Sequence, residues 1–277
     1  MQQWLHFPQF LIDRPLRSGN MVQDYRIVKM LGIGSYGYTY LVAADHTSKM
    51  KVLKQLRKRK LRMNGHGLFQ REKKILKRLH HSSIPRLYDE FEWQGRPFFV
   101  MEQMPGKTFE DLIFGYHQVF TEREAFQITR NILDIVAYFQ RKEIVHRDLR
   151  IPNILYSEKE NKISIIDFGL ACHVGDADEA NPEPPPMREP YFRSDFYALG
   201  HFMLFLLYSG YRAAEKKERP WYEELPLSEE GCLILKRMLQ IEQAYETVDE
   251  LIADMEAWLQ AADAEEMVFK KTGNSRF

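Results

Sequence analysis

Between Lys142 and Gly169 short apolar runs alternate with polar loops, and none of the runs is long enough for a helix. Ile144-Val145, Ile154-Leu155-Tyr156 and Ile163 to Ile166 read as short buried strands. The loops beside them carry two acids and an amide: Asp148, Asn153 and Asp167. A fold that accepts this stretch must hold several tiny strands by tertiary packing and leave three polar side chains on the connections.

The rest of the chain divides by periodicity. Residues 1–22 form an extension with Trp4, Phe7 and Phe10 among polar residues, read as a strap on the domain or a partner-binding arm. Strand-like segments follow at Tyr25 to Leu31, Tyr38 to Ala43, Lys51 to Leu56 and Arg96 to Glu102. One helix interrupts them, Leu68 to Leu79, with Leu68, Ile75, Leu76 and Leu79 on one face. After Gln103 the pattern is helical. Thr108 with Asp111 offers a cap for a short helix, and Thr121 with Glu124 a capping box for a long one ending at Gln140. Further helices are expected at Asp195 to Ser209, Ser228 to Gln240 and Thr247 to Ala261. The apolar stretch Phe196 to Tyr211, about 16 residues, is short of the ~20 that span a bilayer and reads as a helix buried on all sides. At 277 residues and 44% apolar, strands followed by helices predict an α+β chain: a small antiparallel sheet lobe with one helix, and a larger helical lobe.

The order His146-Arg147-Asp148-Leu149-Arg150-Ile151-Pro152-Asn153, followed by Asp167-Phe168-Gly169, resembles the catalytic and metal loops of protein kinases. Asp148 and Asp167 stand 19 residues apart. Gly32-Ile33-Gly34-Ser35-Tyr36-Gly37 fits a glycine-rich phosphate loop. A dinucleotide fold would open a helix at the third glycine, whereas Tyr38 to Val42 alternates as a strand, so the kinase-type flap is the better reading. Gly106-Lys107-Thr108 lacks the leading glycine of a P-loop, since Met101 falls there.

The resemblance covers about residues 24–260 and implies a protein-kinase-like bilobal fold, with a kinase domain at 23–262 (23–103 and 104–262) and a tail at 263–277. It implies ATP and Mg²⁺ as cofactors, with Asn153 and Asp167 as metal ligands and Asp148 accepting the substrate hydroxyl's proton. Lys54 would hold the α- and β-phosphates; strand alternation puts it on the face of Val52, opposite Lys51. Glu72 would pair with Lys54, and Arg150 stands where serine/threonine kinases carry a lysine. Gly32, Gly34, Ser35 and Gly37 would cover the phosphates. Thr39, Val52, Met101 and Leu155 would surround adenine, with backbone groups of Glu102 and Met104 on its edge. Leu76, Leu87, His146 and Phe168 match the apolar stack joining the lobes, with Asp195 at its base.

One stretch departs from the family. Only 28 steps separate Asp167 from Asp195, no Ala-Pro-Glu is present, and Arg188-Glu189-Pro190 is at most its remnant. The arginine that pairs with that glutamate is missing between Ile241 and Thr247, and no Ser, Thr or Tyr lies between Asp167 and Tyr191. The acidic Asp176, Asp178 and Glu179 are candidates for a fixed charge near Arg147. The reading is a compact bacterial serine/threonine kinase acting on a protein substrate. The alternatives are a small-molecule kinase, which Arg147 disfavours, and a nucleotide-binding pseudokinase scaffold, which the complete set of polar residues disfavours. Zero net charge gives no pull toward nucleic acid, so the basic cluster from Arg57 to Arg62 reads as a solvated turn. No signal peptide or membrane span is expected, and two lone cysteines, Cys172 and Cys232, suit a cytoplasmic protein.

Overall fold

Alternating β-branched and aromatic residues make the first third of the chain into sheet. The structure is a computed structural model that describes residues 14–34, 36–44, 49–57, 65–176, 185–212 and 219–273. Trp4, Phe7, Phe10, Ser35, Asp178, Glu179 and residues 58–62 of the basic cluster lie outside the described residues. The chain forms two units: one reaches to Met104 and includes Phe168–Leu170, the other holds Pro105–Asp167 and continues from Ala171.

The first unit is a six-stranded antiparallel sheet of β1 (Met21–Val22), β2 (Tyr25–Ile33), β3 (Gly37–Ala44), β4 (Met50–Leu56), β5 (Leu87–Trp93) and β6 (Arg96–Glu102), in the order β1-β2-β3-β4-β6-β5. Tyr25, Ile27, Tyr40, Val42, Leu53, Phe98 and Val100 form one core. Leu16 packs against it and donates its N–H to the Tyr40 hydroxyl. The helix α1 (Gly65–Arg78) buries Phe69, Ile75 and Leu76, with the Phe69 ring 4.9 Å from that of Phe99. Lys73 and Lys77 reach Glu90 on β5 at 2.8 and 2.5 Å. α1 starts three residues before the apolar stripe, at Gly65, and stops at Arg78.

The second unit is mostly helix: α2 (Glu122–Gln140), α3 (Phe192–Tyr208), α4 (Trp221–Glu224), α5 (Glu229–Met238) and α6 (Val248–Gly273). Small sheets join β7 (Lys107–Thr108) to β9 (Ile154–Ser157) and β10 (Lys162–Ile165), and β8 (Ile144–Val145) to β11 (Cys172–His173). Gly106 has φ +111°, and a Cβ there would stand 2.4 Å from the Tyr156 carbonyl oxygen, so only glycine lets this segment lie against β9. The Thr121–Glu124 capping box opens α2, and Phe126 stacks on Trp258 of α6 at 3.9 Å. Thr108 and Asp111 bond each other's N–H groups, and the turn they begin is a π-helix, Asp111–Gly115.

Two expectations change. α6 runs well past Ala261, because no glycine or proline stops it before Gly273. α3 is not buried on all sides: Phe205 is exposed while Phe196, Leu199, Phe202 and Leu206 are inside. Among the described residues no helix is long and apolar enough to cross a membrane.

Candidate active site

In the sheet unit, β4 carries Lys54 toward α1 while Leu53 enters the core beneath the other face. Lys54 Nζ lies 2.6 Å from Glu72 Oε1 on α1, and both side chains are almost closed to solvent. A buried ion pair holds only if its remaining lone pairs are also met. Tyr36 meets this need by donating its hydroxyl to Glu72 Oε2, its ring edge-on to Phe69. Sequence reasoning passed over Tyr36. Its signal was an aromatic residue inside a glycine-rich stretch, where solvent exposure is the default. Lys51 turns the other way, onto the rings of Tyr25 and Tyr88 at 5.5 and 4.8 Å.

The glycine loop is tight at one end only. A Cβ on Gly37 would stand 2.7 Å from the Gln55 carbonyl oxygen, whereas Gly32 faces open space and a Cβ on Gly34 would make only an ordinary contact, 3.8 Å from the Gly37 carbonyl oxygen. Val52, Met101 and Met104 are buried, and Thr39 and Glu102 half-buried. The Glu102 N–H donates to the Arg86 carbonyl, while the Met104 N–H donates to no described residue. A buried residue with an unspent donor suits the edge of a flat heterocycle. Phe168, also in this unit, is 1% exposed and its turn packs against α1.

In the helical unit, Asp195 builds the loop after β8. Its carboxylate is fully buried and accepts the N–H groups of His146 (2.9 Å) and Arg147 (2.8 Å). Burial pushes its pKa up to about 7, against the pull of those two bonds and of Arg147. Arg147 takes φ 64° and Asp167 φ 62°, a region that costs non-glycine residues energy and needs such anchoring. His146 is sealed in, and burial pushes its pKa down to about 4. Its Nδ1 accepts the Asp148 N–H at 3.2 Å, so Nε2 carries the proton and faces the Ile166 carbonyl at 3.3 Å.

Asp148 is thus fixed through its backbone, and its carboxylate is held as well. Arg150 forks onto it, Nε to Oδ1 at 2.7 Å and Nη2 to Oδ2 at 3.3 Å. Asn153 Nδ2 gives one hydrogen to Asp148 Oδ2 (2.8 Å) and one to the Asp148 carbonyl (2.9 Å). This leaves Asn153 Oδ1 accepting nothing from a described residue. An amide oxygen and a carboxylate are the hard donors that Mg²⁺ takes, so Asn153 and half-buried Asp167 fit that ion. Among the described residues no group of three or more His, Cys, Asp or Glu side chains is placed to hold a metal ion. Leu155 is buried on β9.

Three features of the shortened segment stand apart from expectation. Glu189 is paired with Arg193 one helical turn on, at 2.9 Å, so this glutamate keeps a local cation in place of a distant one. Asp176 spends Oδ2 on the His173 N–H at 3.0 Å, closing its own turn. Arg188, named only as part of a motif remnant, reaches Asp148 Oδ1 at 3.0 Å and the Arg147 carbonyl.

Residues 25–198 match the protein kinase domain family. The chain is 38% identical over 257 residues to the probable serine/threonine-protein kinase YbdM of Bacillus subtilis, covering 91% of this chain and 96% of that one. It is 29% identical to serine/threonine-protein kinase B of Synechocystis, over 78% of this chain and 43% of the relative. Among solved structures, the PknI kinase domain of Mycobacterium tuberculosis superposes with a TM-score of 0.66 at 23% identity, over 88% of this chain and 99% of that one.

Proposed function

Because the chain belongs to the protein kinase family, we propose that it moves the γ-phosphoryl group of ATP to a serine or threonine hydroxyl of a protein substrate. The observation that carries this reading is the loop around Asp148, where Asn153 anchors the carboxylate and keeps its own oxygen uncommitted. In the reaction the acceptor oxygen bonds to the γ-phosphorus, its proton passes to Asp148, the bond to the β,γ-bridging oxygen breaks, and ADP leaves. Lys54, steadied by Glu72, grips the α- and β-phosphates, and Gly32, Gly34 and Gly37 are the described loop residues that would lie over them. Thr39, Val52 and Met101 would line the adenine, and Met104 N–H with the Glu102 carbonyl would read its edge. Asn153 and Asp167 are the residues that would hold Mg²⁺, which when bound neutralises charge on the phosphates. Serine/threonine preference is supported by the names of the relatives, and a protein acceptor by Arg147. We take 23–262 as the kinase domain and, from a sequence with two cysteines and no framework of pairs, the cytoplasm as its place.

Labelled ATP, a Mg²⁺ titration and a generic protein substrate test the reading. Asp167→Ala should abolish transfer and weaken Mg²⁺-dependent ATP binding while circular dichroism stays unchanged. Undiminished turnover in that variant contradicts the assignment.

A further inference from the structure

Asp148 is enclosed beyond what a proton acceptor can keep. A carboxylate offers about four lone-pair directions over two oxygens. Arg150 Nε and Arg188 Nη1 stand against Oδ1 at 2.7 and 3.0 Å, and Asn153 Nδ2 and Arg150 Nη2 against Oδ2 at 2.8 and 3.3 Å. Three of these contacts are hydrogen bonds and the fourth is the Arg188 ion pair, which crowds the Oδ1 side where a hydroxyl would enter. Arg150 and Asn153 belong to the same loop as Asp148, and Asn153 also holds the Asp148 carbonyl. Arg188 is different, because it arrives from the turn Pro186–Arg188, far along the chain.

The main chain around Arg188 is tied: its N–H donates to the Pro185 carbonyl, and the Gly175 N–H to that of Pro190. The side chain has its own rotatable bonds, so the guanidinium can swing off Asp148, giving up its bond to the Arg147 carbonyl, while the backbone stays. Its neighbour Glu189 is already held by Arg193 and offers no exchange partner. A neutral substrate would therefore strip Arg188 of its anion, whereas an acidic one replaces it, ion pair for ion pair.

Resting on the kinase reading above, we infer that Arg188 is a specificity-determining residue. It closes Asp148 in the free protein and is drawn away by a carboxylate of the protein substrate beside the acceptor hydroxyl. The hydroxyl then takes the vacated side of Oδ1, and Arg188 holds the flanking acid.

The test uses the full chain and two fluorescein-labelled serine peptides that differ only in Glu or Gln beside the acceptor. For the unmodified protein kcat/KM should favour the Glu peptide roughly tenfold, the scale of one charge-assisted contact. In Arg188→Gln the ratio should fall to near one while the Gln peptide is turned over roughly fivefold better, because the competent fraction is no longer reduced. Arg188→Lys, which keeps the charge, should keep part of the preference. An unchanged ratio in Arg188→Gln, or equal slowing of both peptides, overturns the inference and leaves Arg188 a structural prop. Anisotropy of the same peptides needs no turnover. Tighter Glu-peptide binding that vanishes in Arg188→Gln, without phosphate transfer, would fault the kinase reading and uphold the role of Arg188. No binding difference would overturn that role.

Discussion

Glu72 is closed to solvent and shared by Lys54 and Tyr36, so the three residues stand or fall as a set. Removing the cation leaves a buried carboxylate without its ion-pair partner, which costs about 3 kcal/mol. Lys54→Met should therefore lower stability in urea unfolding and cut kcat about a hundredfold, whereas Lys51→Met, on the opposite face, should leave kcat near normal. The reverse result would place the phosphate-binding lysine at Lys51. His146 makes a pH prediction. Its folded pKa lies at about 4, below the ordinary 6.5, so the unfolded chain binds the proton first. Its contribution is fully present above pH 6.5 and is lost as pH falls toward 4. Asp195 runs the other way, contributing most below its ordinary 3.8 and losing this as pH rises through about 7. The difference in unfolding free energy between the protein and His146→Phe isolates the histidine. The margin of the unmodified protein over the variant should shrink from pH 6.5 to 4 and be flat above 7. Strand alternation made the facing of Lys54 legible in the sequence; the inward turn of Tyr36 was not, because a side chain on a glycine loop has no periodicity to orient it.

At the level of elements, legibility followed local chemistry. Thr121 and Glu124 satisfy each other's backbone donors within four residues, so the start of α2 could be read from a short string. Thr121→Ala should cost about 1 kcal/mol in urea unfolding and leave kcat unchanged, since the cap lies on the outer end of α2. A loss of activity at unchanged stability would mean that this end does more than hold a helix. Ser228 caps α5 in the same way, accepting from Gly231. β5 is not among the strand-like segments of the sequence. Its burial does not alternate, and Asp89, Glu90 and Glu92 line a strand at the edge of the sheet, where charge discourages further pairing. β1, two residues long, has no pattern to read and exists only because Val22 closes the core beside Tyr25.

For the whole molecule, the family was legible because its chemistry sits in two short motifs, each held by a loop that its own residues brace. Arg188 on Asp148 was not, since forty positions separate them and the contact depends on how a shortened segment folds back. That segment contains no hydroxyl from Gly169 to Pro190, so no phosphate can be added there to switch the loop. Phosphatase treatment should accordingly leave kcat unchanged; a large loss, restored by phosphate on Tyr191 or Ser194, would reveal a displaced switch. The central claim is that Asp148 takes the proton of a protein hydroxyl during phosphoryl transfer from ATP. The direct measurement is transfer of labelled γ-phosphate to a protein substrate by the unmodified chain and by Asp148→Asn, with phosphoamino-acid analysis of the product. The account predicts phosphoserine or phosphothreonine from the first, and from the second a kcat lower by about two to three orders of magnitude with KM for ATP nearly unchanged. Equal rates from both proteins, or label found only on small molecules, would contradict it.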